Sequence, residues 1–436
     1  MKSAVSIIGG GLAGCEAAWQ LLQRGHAVQL FEMKPQRFSP AHKMEYLAEL
    51  VCSNSLKSNH ADSAPGMLKQ ELRTLDSLIM SAADQTAVAA GSALAVDRTE
   101  FARTVQDKLL QQKNFKLIRQ EVTEIPRDII TIIATGPLTS DRFARAVSEM
   151  LGGSYLYFYD AAAPIVTYES INKDKVFMAS RYDKGDSDYI NCPMSEEEYV
   201  NFHRELVNAE TAPLKSFEKE VVFEGCMPVE TMAKRGLQTL LFGPLKPVGL
   251  TDPRSGKQPY AVVQLRQDNK EGTLYNIVGF QTHLKWGEQK RVFGMIPGLE
   301  NAEFVRYGVM HRNTFIYSPK VMRPTLQFHN NDKLFFAGQM TGVEGYVESA
   351  SSGLVAGINM ARIINGMEPV VFPETTAHGA LCRYITDRTI KAFQPMNVNF
   401  GIFPQPEYRI RNKKEKSSYY AERALKDLEK FIQEQL

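Results

Sequence analysis

The chain has 436 residues, 44% apolar and 23% charged, with a formal net charge of +2. That is long enough for two domains or for one large α/β domain with an insertion, and the composition is ordinary for a globular enzyme. The near-neutral balance neither requires nor excludes an acidic partner, so any nucleic-acid site must be a local patch.

The N-terminal "MKSAVSIIGGGLAG" has only about five apolar residues before glycines break it, short of the ~7–15 of a secretory leader or the ~20 of a membrane span. A cytoplasmic protein without a membrane segment is expected. The first 33 residues read as strand ("AVSII"), glycine turn ("GGGLAG"), helix ("CEAAWQLLQRG") and strand ("AVQLFE"), with the helix ending at Gly25. Gly9, Gly11 and Gly14 fall on the G-x-G-x-x-G spacing: a tight turn, a backbone open to a pyrophosphate, and a close helix–strand contact. Glu32 closes the second strand, placed to take ribose hydroxyls, and a dinucleotide site follows.

Next comes "LVCSNSLKSN", in which Cys52 stands among serines and asparagines. Two later segments repeat the strand-then-glycine grammar. "DIITIIATGPLTS" ends its apolar run at Gly136, and "KLFFAGQMTGVEGYVESASSGLVAGINMARII" runs through Gly338 and a glycine-broken loop into a long helix. In that helix Ala350, Ser351, Gly353, Ala356 and Gly357 offer small surfaces for close packing, and its N-terminus can present N–H groups to an electron-rich ligand. Between about 151 and 330 the texture changes to short strand-like runs, "EKEVVFEG", "TLLFG", "YAVVQLR" and "TLYNIVGF". A mixed or antiparallel sheet domain at 151–330 is expected, inserted into a nucleotide-binding domain made of 1–150 and 331–436. The tail from Glu422 carries Leu425, Leu428, Phe431 and Ile432 at helical spacing and should dock on the body.

Five cysteines, Cys15, Cys52, Cys192, Cys226 and Cys382, form an odd, scattered set without a CxxC pair, which argues against a disulfide framework, and no metal site is read. Cys15, Cys192 and Cys382 read as buried small hydrophobes. "LKWGEQKR" and "RIRNKKEKSSYY" cluster cations near Trp286, Tyr419 and Tyr420; Lys285, Lys290, Arg291, Arg409, Arg411, Lys413 and Lys414 are RNA-contact candidates, the bland reading being a solvated face.

The N-terminal glycines, "IIATG" and "FFAGQMTGVEGYVESASSGLVAGINMAR" together resemble the FAD-binding frame of glutathione-reductase-like flavoproteins. The segments "AELVCSNSLKSN", "FYDAAAPIV", "SRYDKG", "FEGCMPVE", "LFGPLKPVGL", "YAVVQLRQDN", "GFQTHLKWGEQKRVF" and "YGVMHRNTFI" resemble, more narrowly, the TrmFO family of folate- and FAD-dependent tRNA uracil-5-methyltransferases. The likeness runs from Val5 to about Tyr420. It implies an α/β, glutathione-reductase-like Rossmann FAD domain with an inserted mixed α/β domain. It also implies FAD contacts at Gly9, Gly11, Gly14, Glu32, Gly136, Gly338, Thr341, Gly342, Glu344, Gly345 and Tyr346.

The implied activity is methylation of uridine C5 in RNA, in the T loop of tRNA. The one-carbon donor is 5,10-methylenetetrahydrofolate, and FAD reduced by NADH or NADPH carries methylene and hydride; no obligate protein partner is evident. C5 of uracil is a poor nucleophile until a thiolate adds to C6, and a base must then remove the C5 proton before the thiol leaves. Cys226 is assigned the attack and Cys52 the proton transfer, with the reverse open. A flat pterin stacked on the flavin wants an imidazole cover, so His283 and His311 are folate candidates, with Arg312 and Asn313 behind them. The same chemistry on ribosomal RNA, a wobble-uridine modification enzyme, a plain flavin oxidoreductase, an S-adenosylmethionine methyltransferase and a non-catalytic FAD-bearing module stand as alternatives.

Overall fold

The computed structural model describes residues 4–126, 129–152, 155–161, 163–183, 188–212, 227–269, 271–308, 310–390 and 393–436. A six-stranded sheet runs in the order 327–328, 331–336, 131–133, 5–8, 28–32, 115–119. All neighbours are parallel except the antiparallel edge hairpin of 327–328 with 331–336. The central strand Val5–Ile8 is buried at every position, Ser6 included, as a parallel strand covered on both faces requires. Strand order reverses between Val5–Ile8 and Thr131–Ile133, so a crevice opens at their carboxyl ends, where doubly wound sheets bind ligands.

The helix Leu12–Gln23 leads out of the first strand and stops before Gly25, whose φ of +78° is a left-handed terminator. The late helix Tyr346–Ile364 lies against it. A Cβ on Gly357 would sit 2.8 Å from the Ala17 carbonyl oxygen, and one on Gly353 would overlap that of Ala13. The small-residue stripe read from the sequence is therefore the surface on which the two helices touch backbone to backbone.

A second sheet is antiparallel throughout, in the order 177–178, 189–194, 261–267, 274–277, 165–167, 304–306. It has its own core, in which Tyr199 and Phe202 of the helix Glu196–Asn208 meet Phe280 and Phe293 against Ile190, Val263 and Leu265. The strands Tyr155–Ala161 and Met310–Ile316 pair antiparallel as the chain passes out to this sheet and back. Phe315 to Phe328 then contribute to the first core.

Three expectations need adjustment or lie beyond reach. "TLLFG" is a 3-10 turn, Thr239–Phe242, not a strand; Leu240 is its only buried residue, too little to seat a strand in a sheet. The tail helix begins at Lys413, capped by the Asn412 side chain on the N–H groups of Lys414 and Glu415. Its buried face is Tyr420, Ala421, Ala424, Leu428 and Phe431. The run "EKEVVFEG" lies outside the described residues.

Candidate active site

The crevice widens into a cleft whose free space, counting the solvent open at its mouth, is about 1030 Å3. Its walls include Gly9, Gly11, Glu32, Gly136, Gly338 and Tyr346. The three fingerprint glycines are needed for three reasons. Gly9 has φ +106° and a Cβ there would lie 2.5 Å from the Ala134 carbonyl oxygen; a Cβ on Gly14 would overlap the carbonyl oxygen of Gly9. Gly11 is different: its φ is −78° and nothing lies within 4 Å of a Cβ built on it. The space it keeps open is on the cleft side, a cradle that a side chain would fill.

Glu32 is buried at the strand end, with Oε2 accepting from Gly10 N at 2.9 Å and Oε1 from Lys34 N at 2.9 Å. Each oxygen keeps a further lone pair for a ligand hydroxyl. Beside it the buried pair Lys34–Glu49, 3.3 Å apart, pins the chain through Glu49 to the N–H groups of Lys43 and Met44. Thr341, Gly342, Glu344 and Gly345 are absent from the walls of this cleft and build the turn ahead of the late helix. Thr341 Oγ1 donates to Gly338 O at 2.8 Å, and Glu344 accepts from Gln339 Nε2 at 2.7 Å.

The Cys52 loop is tied to the cleft through Tyr346. The Tyr346 hydroxyl accepts from Cys52 N at 2.8 Å and Ser53 N at 3.2 Å; burial, then the neighbouring Cys52, pushes its pKa up. Two buried arginines clamp the same loop. Arg98, the first residue of the helix Arg98–Leu110, donates from Nη1 to Leu50 O at 2.7 Å and pairs with Asp268, Nε to Oδ2 2.9 Å. Arg266, on the second sheet, donates to Asn54 Oδ1 at 3.1 Å and Ser53 Oγ at 2.6 Å, while Asn54 Nδ2 donates to Val96 O and Gln267 O. Burial opposes the charge on Arg98, but Asp268 outweighs it, with Tyr346 and Cys52 adding, and the guanidinium stays charged. Arg306 feels burial first and Arg98 second, both lowering its pKa, while Cys52 acts the other way. The Cys52 thiol is thus within electrostatic range of Arg98, Arg306 and Tyr346.

Cys226 lies outside the described residues. On either side of 213–226, Ala212 N donates to His283 O at 2.8 Å and Val229 N to Gln281 O at 2.7 Å. His283 is buried, its Nδ1 2.7 Å from Glu230 Oε1, and Glu230 also accepts from His283 N and Thr282 Oγ1. His311, Arg312 and Asn313 sit on the strand Met310–Ile316, opposite Asp160, Tyr159 and Phe158. Cys15, Cys192 and Cys382 are buried, and burial pushes their thiols up, Cys382 to about 12.

The basic candidates divide. Lys285 is held by Glu210 at 2.5 Å and Arg291 by Glu205 at 2.6 Å and Glu288 at 2.8 Å. Lys290, Arg409, Arg411 and Lys414 are exposed, and the side chain of Lys413 lies outside the description. Trp286 is 64% exposed and stacks on Tyr307 at 5.3 Å. Tyr420 is not available for stacking on a base, because it is buried against Phe400 at 4.9 Å. Among the described residues no group of three metal-ligating side chains forms, and no helix is long and apolar enough to cross a membrane. The arginines Arg98, Arg266 and Arg306 were not anticipated; the one local signal was an arginine directly after the helix-capping Asp97 in the apolar run "ALAVDR".

Residues 4–368 match the family described as Glucose inhibited division protein A. A protein of Acetivibrio thermocellus named methylenetetrahydrofolate–tRNA-(uracil-5-)-methyltransferase TrmFO is 61% identical over 428 residues, 98% of each chain. Those of the same name from Listeria monocytogenes and Bacillus subtilis are 61% and 60% identical, covering 100% and 98% of each chain. The crystal structure of Aquifex aeolicus GidA superposes with a TM-score of 0.70 at 17% identity, covering 99% of this chain and 75% of that one, a likeness of fold.

Proposed function

We propose the following division of labour for a chain that belongs to TrmFO, the methylenetetrahydrofolate–tRNA-(uracil-5-)-methyltransferases, within the wider glucose inhibited division protein A family. The enzyme methylates C5 of a uridine in tRNA, with methylenetetrahydrofolate as the one-carbon donor. The unit read as 1–150 with 331–436 holds the cofactor and the unit read as 151–330 serves the substrates, a division supported by two separate apolar cores, although 315–328 pack in the first of them.

The cleft suits FAD. Open space at Gly11 and the N-terminus of the helix Leu12–Gln23 receive a pyrophosphate, and Glu32 takes ribose hydroxyls. Gly136, Gly338 and Tyr346 line the remainder, with Gly14, Thr341, Gly342, Glu344 and Gly345 shaping the turns behind them. Bound there, FAD supplies the redox chemistry that converts a transferred methylene into a methyl group, with NADH or NADPH as the source of electrons. The compartment is the cytoplasm, where tRNA is matured.

The observation that carries the catalytic reading is the bond from the Tyr346 hydroxyl, in the cleft wall, to the backbone of Cys52. It supports a reading in which the Cys52 loop borders the cofactor site, with Arg98 and Arg306 in electrostatic range of the thiol. Cys226 attacks C6 of the uracil, forming an S–C6 bond and pushing electrons onto the C5–C4–O4 enolate. C5 would then bond to the donor's methylene carbon. Cys52 would remove the C5 proton, the electron pair released breaking that carbon's bond to its carrier nitrogen, and hydride addition to the resulting exocyclic methylene would restore the C5–C6 double bond and expel the Cys226 thiolate. His283, steadied by Glu230, and His311 cover the pterin, with Arg312 and Asn313 as lesser contacts. The target is the T-loop uridine, approached by Lys285, Lys290, Arg291, Arg409, Arg411, Lys413 and Lys414. Alanine variants of Cys52 and Cys226, challenged with tRNA containing 5-fluorouracil, test the assignment: the Cys52 variant should still trap a covalent adduct, and an adduct on the Cys226 variant would reverse the roles.

A further inference from the structure

The region after Cys226 carries a cationic lobe that the site above does not use. From Thr231 to Gln264 the chain has Lys234, Arg235, Lys246, Arg254 and Lys257 and one acid, Asp252. Asp252 is taken by Arg254, which donates to it from its own N, Nε and Nη2 at 2.8–3.0 Å. Lys234 and Lys257 are exposed and Lys246 half-buried, and none of the three has a carboxylate within salt-bridge distance among the described residues. Lys285 and Arg291, by contrast, each lie within salt-bridge distance of a carboxylate, Glu210 for the first and Glu205 and Glu288 for the second.

The lobe is rigid and presents a ring. Leu240, Leu245 and Leu250 are buried, and Thr239, Gly243 and Leu245 close backbone bonds onto Gly236 and Leu240. Between these anchors Phe242 stands 82% exposed, with Leu237 and Val248 each 43% exposed on the same run. A single exposed phenylalanine is unremarkable on its own. Held outward on a fixed turn, with Lys234 eight residues before it and Lys246 four residues after it, it matches what unpaired nucleotides need: an aromatic face for the base and cations for the flanking phosphates.

We propose that the lobe Lys234–Lys257 is a docking surface for tRNA, with Phe242 stacking on an unpaired base and Lys234, Lys246 and Lys257 taking phosphates. This rests on the tRNA-methylating activity of the chain. None of these four side chains lines the cofactor cleft, so variants here should weaken RNA binding and leave cofactor binding intact.

The test uses the full, flavin-loaded chain and a fluorescent unmodified tRNA transcript, with Kd measured across a salt series. Phe242→Ala should weaken binding at least fivefold at every salt concentration with the slope of log Kd against log salt unchanged. The triple variant Lys234→Gln, Lys246→Gln, Lys257→Gln should flatten that slope by about two to three, at ~0.7–0.9 per lost phosphate contact. Both variants should keep the wild-type flavin spectrum and thermal midpoint, since the altered side chains are largely outside the core. If Kd and slope stay within twofold of wild type while the wild-type protein binds and methylates the transcript, the surface is not the docking site. A change in the oligomeric mass of free Phe242→Ala with tRNA affinity intact would likewise overturn the proposal, making the face a contact between copies. A wild-type protein that methylates no tRNA would remove the functional reading and this partner together.

Discussion

Gly11 and Gly9 separate a glycine needed by the ligand from one needed by the fold. Replacing Gly11 with Ala puts a methyl group where no protein atom lies within 4 Å, at a φ of −78° that any residue adopts. The loss of a glycine at the helix cap costs a few tenths of a kcal/mol and the stiffer unfolded chain returns about as much, so the flavin-free protein should change by less than ~0.5 kcal/mol. Gly9→Ala instead drives Cβ to 2.5 Å from Ala134 O and 2.7 Å from Thr135 Cα, both backbone, at φ +106°. Strain of about 1–3 kcal/mol adds to overpacking of about 1–3 kcal/mol, giving a loss of ~2–6 kcal/mol. Urea unfolding of the stripped proteins reads the stability, and titration with FAD reads the site. Gly11→Ala should unfold like wild type and bind FAD at least tenfold more weakly. Full-strength FAD binding by Gly11→Ala would refute the placement of the pyrophosphate, and equal destabilisation by both variants would refute the steric reasoning.

Other consequences follow from the buried charges. Arg98→Met leaves Asp268 unpaired in the interior and should cost about 3–5 kcal/mol in urea unfolding, with Arg98→Met/Asp268→Leu recovering most of it; equal losses in single and double variants would show that the pair is not the source. Arg306→Met in a Cys226→Ala background should slow iodoacetamide alkylation of Cys52 at neutral pH by roughly three- to tenfold, because a cation beside a thiol favours its reactive thiolate. An unchanged rate would mean that the charge does not reach the sulfur. Glu71 caps the helix Ala377–Thr386 through the N–H groups of Ala377 and His378, and burial raises its pKa from 4.5 to about 8. A carboxyl raised on folding contributes stability below its unfolded pKa that is lost as pH rises through its folded one. Its contribution should therefore fall between about pH 4.5 and 8 by up to ~1.4 kcal/mol per unit. Glu71→Gln should remove that component, visible as a flatter pH dependence than wild type; parallel curves would contradict it. His378, buried 3.8 Å away and lowered to about 3, and Lys69, lowered to about 7, are common to both proteins and cancel in the comparison.

The parts of the fold legible in the sequence were those written in local patterns. Gly9, Gly11 and Gly14 declared a strand, turn and helix because each glycine answers a backbone demand within a few residues of itself. The stripe through Gly353 and Gly357 was legible as a close-packing face, though its partner, Ala13 and Ala17, lies some 340 positions away. The clamp on the Cys52 loop was not legible, because Arg98 and Asp268 are 170 residues apart and neither sits in a pattern that names the other. The same distance effect hides the ion pairs of the basic runs. Lys285 and Arg291 look like free cations in "LKWGEQKR", and only folding brings Glu210 and Glu205 to them. Tyr420, in a polar-looking tail, turned inward because the helix starts at Lys413, earlier than the apolar spacing after Glu422 suggested, and carries Tyr420 onto Phe400.

The most direct test of the whole account is methyl transfer by the purified, flavin-loaded protein to an unmodified tRNA transcript. Methylenetetrahydrofolate with NADH or NADPH is supplied in one arm and S-adenosylmethionine in the other. The expected result is 5-methyluridine in the T loop from the folate arm alone. Product from the S-adenosylmethionine arm, or none from folate with an intact flavin spectrum, would contradict it.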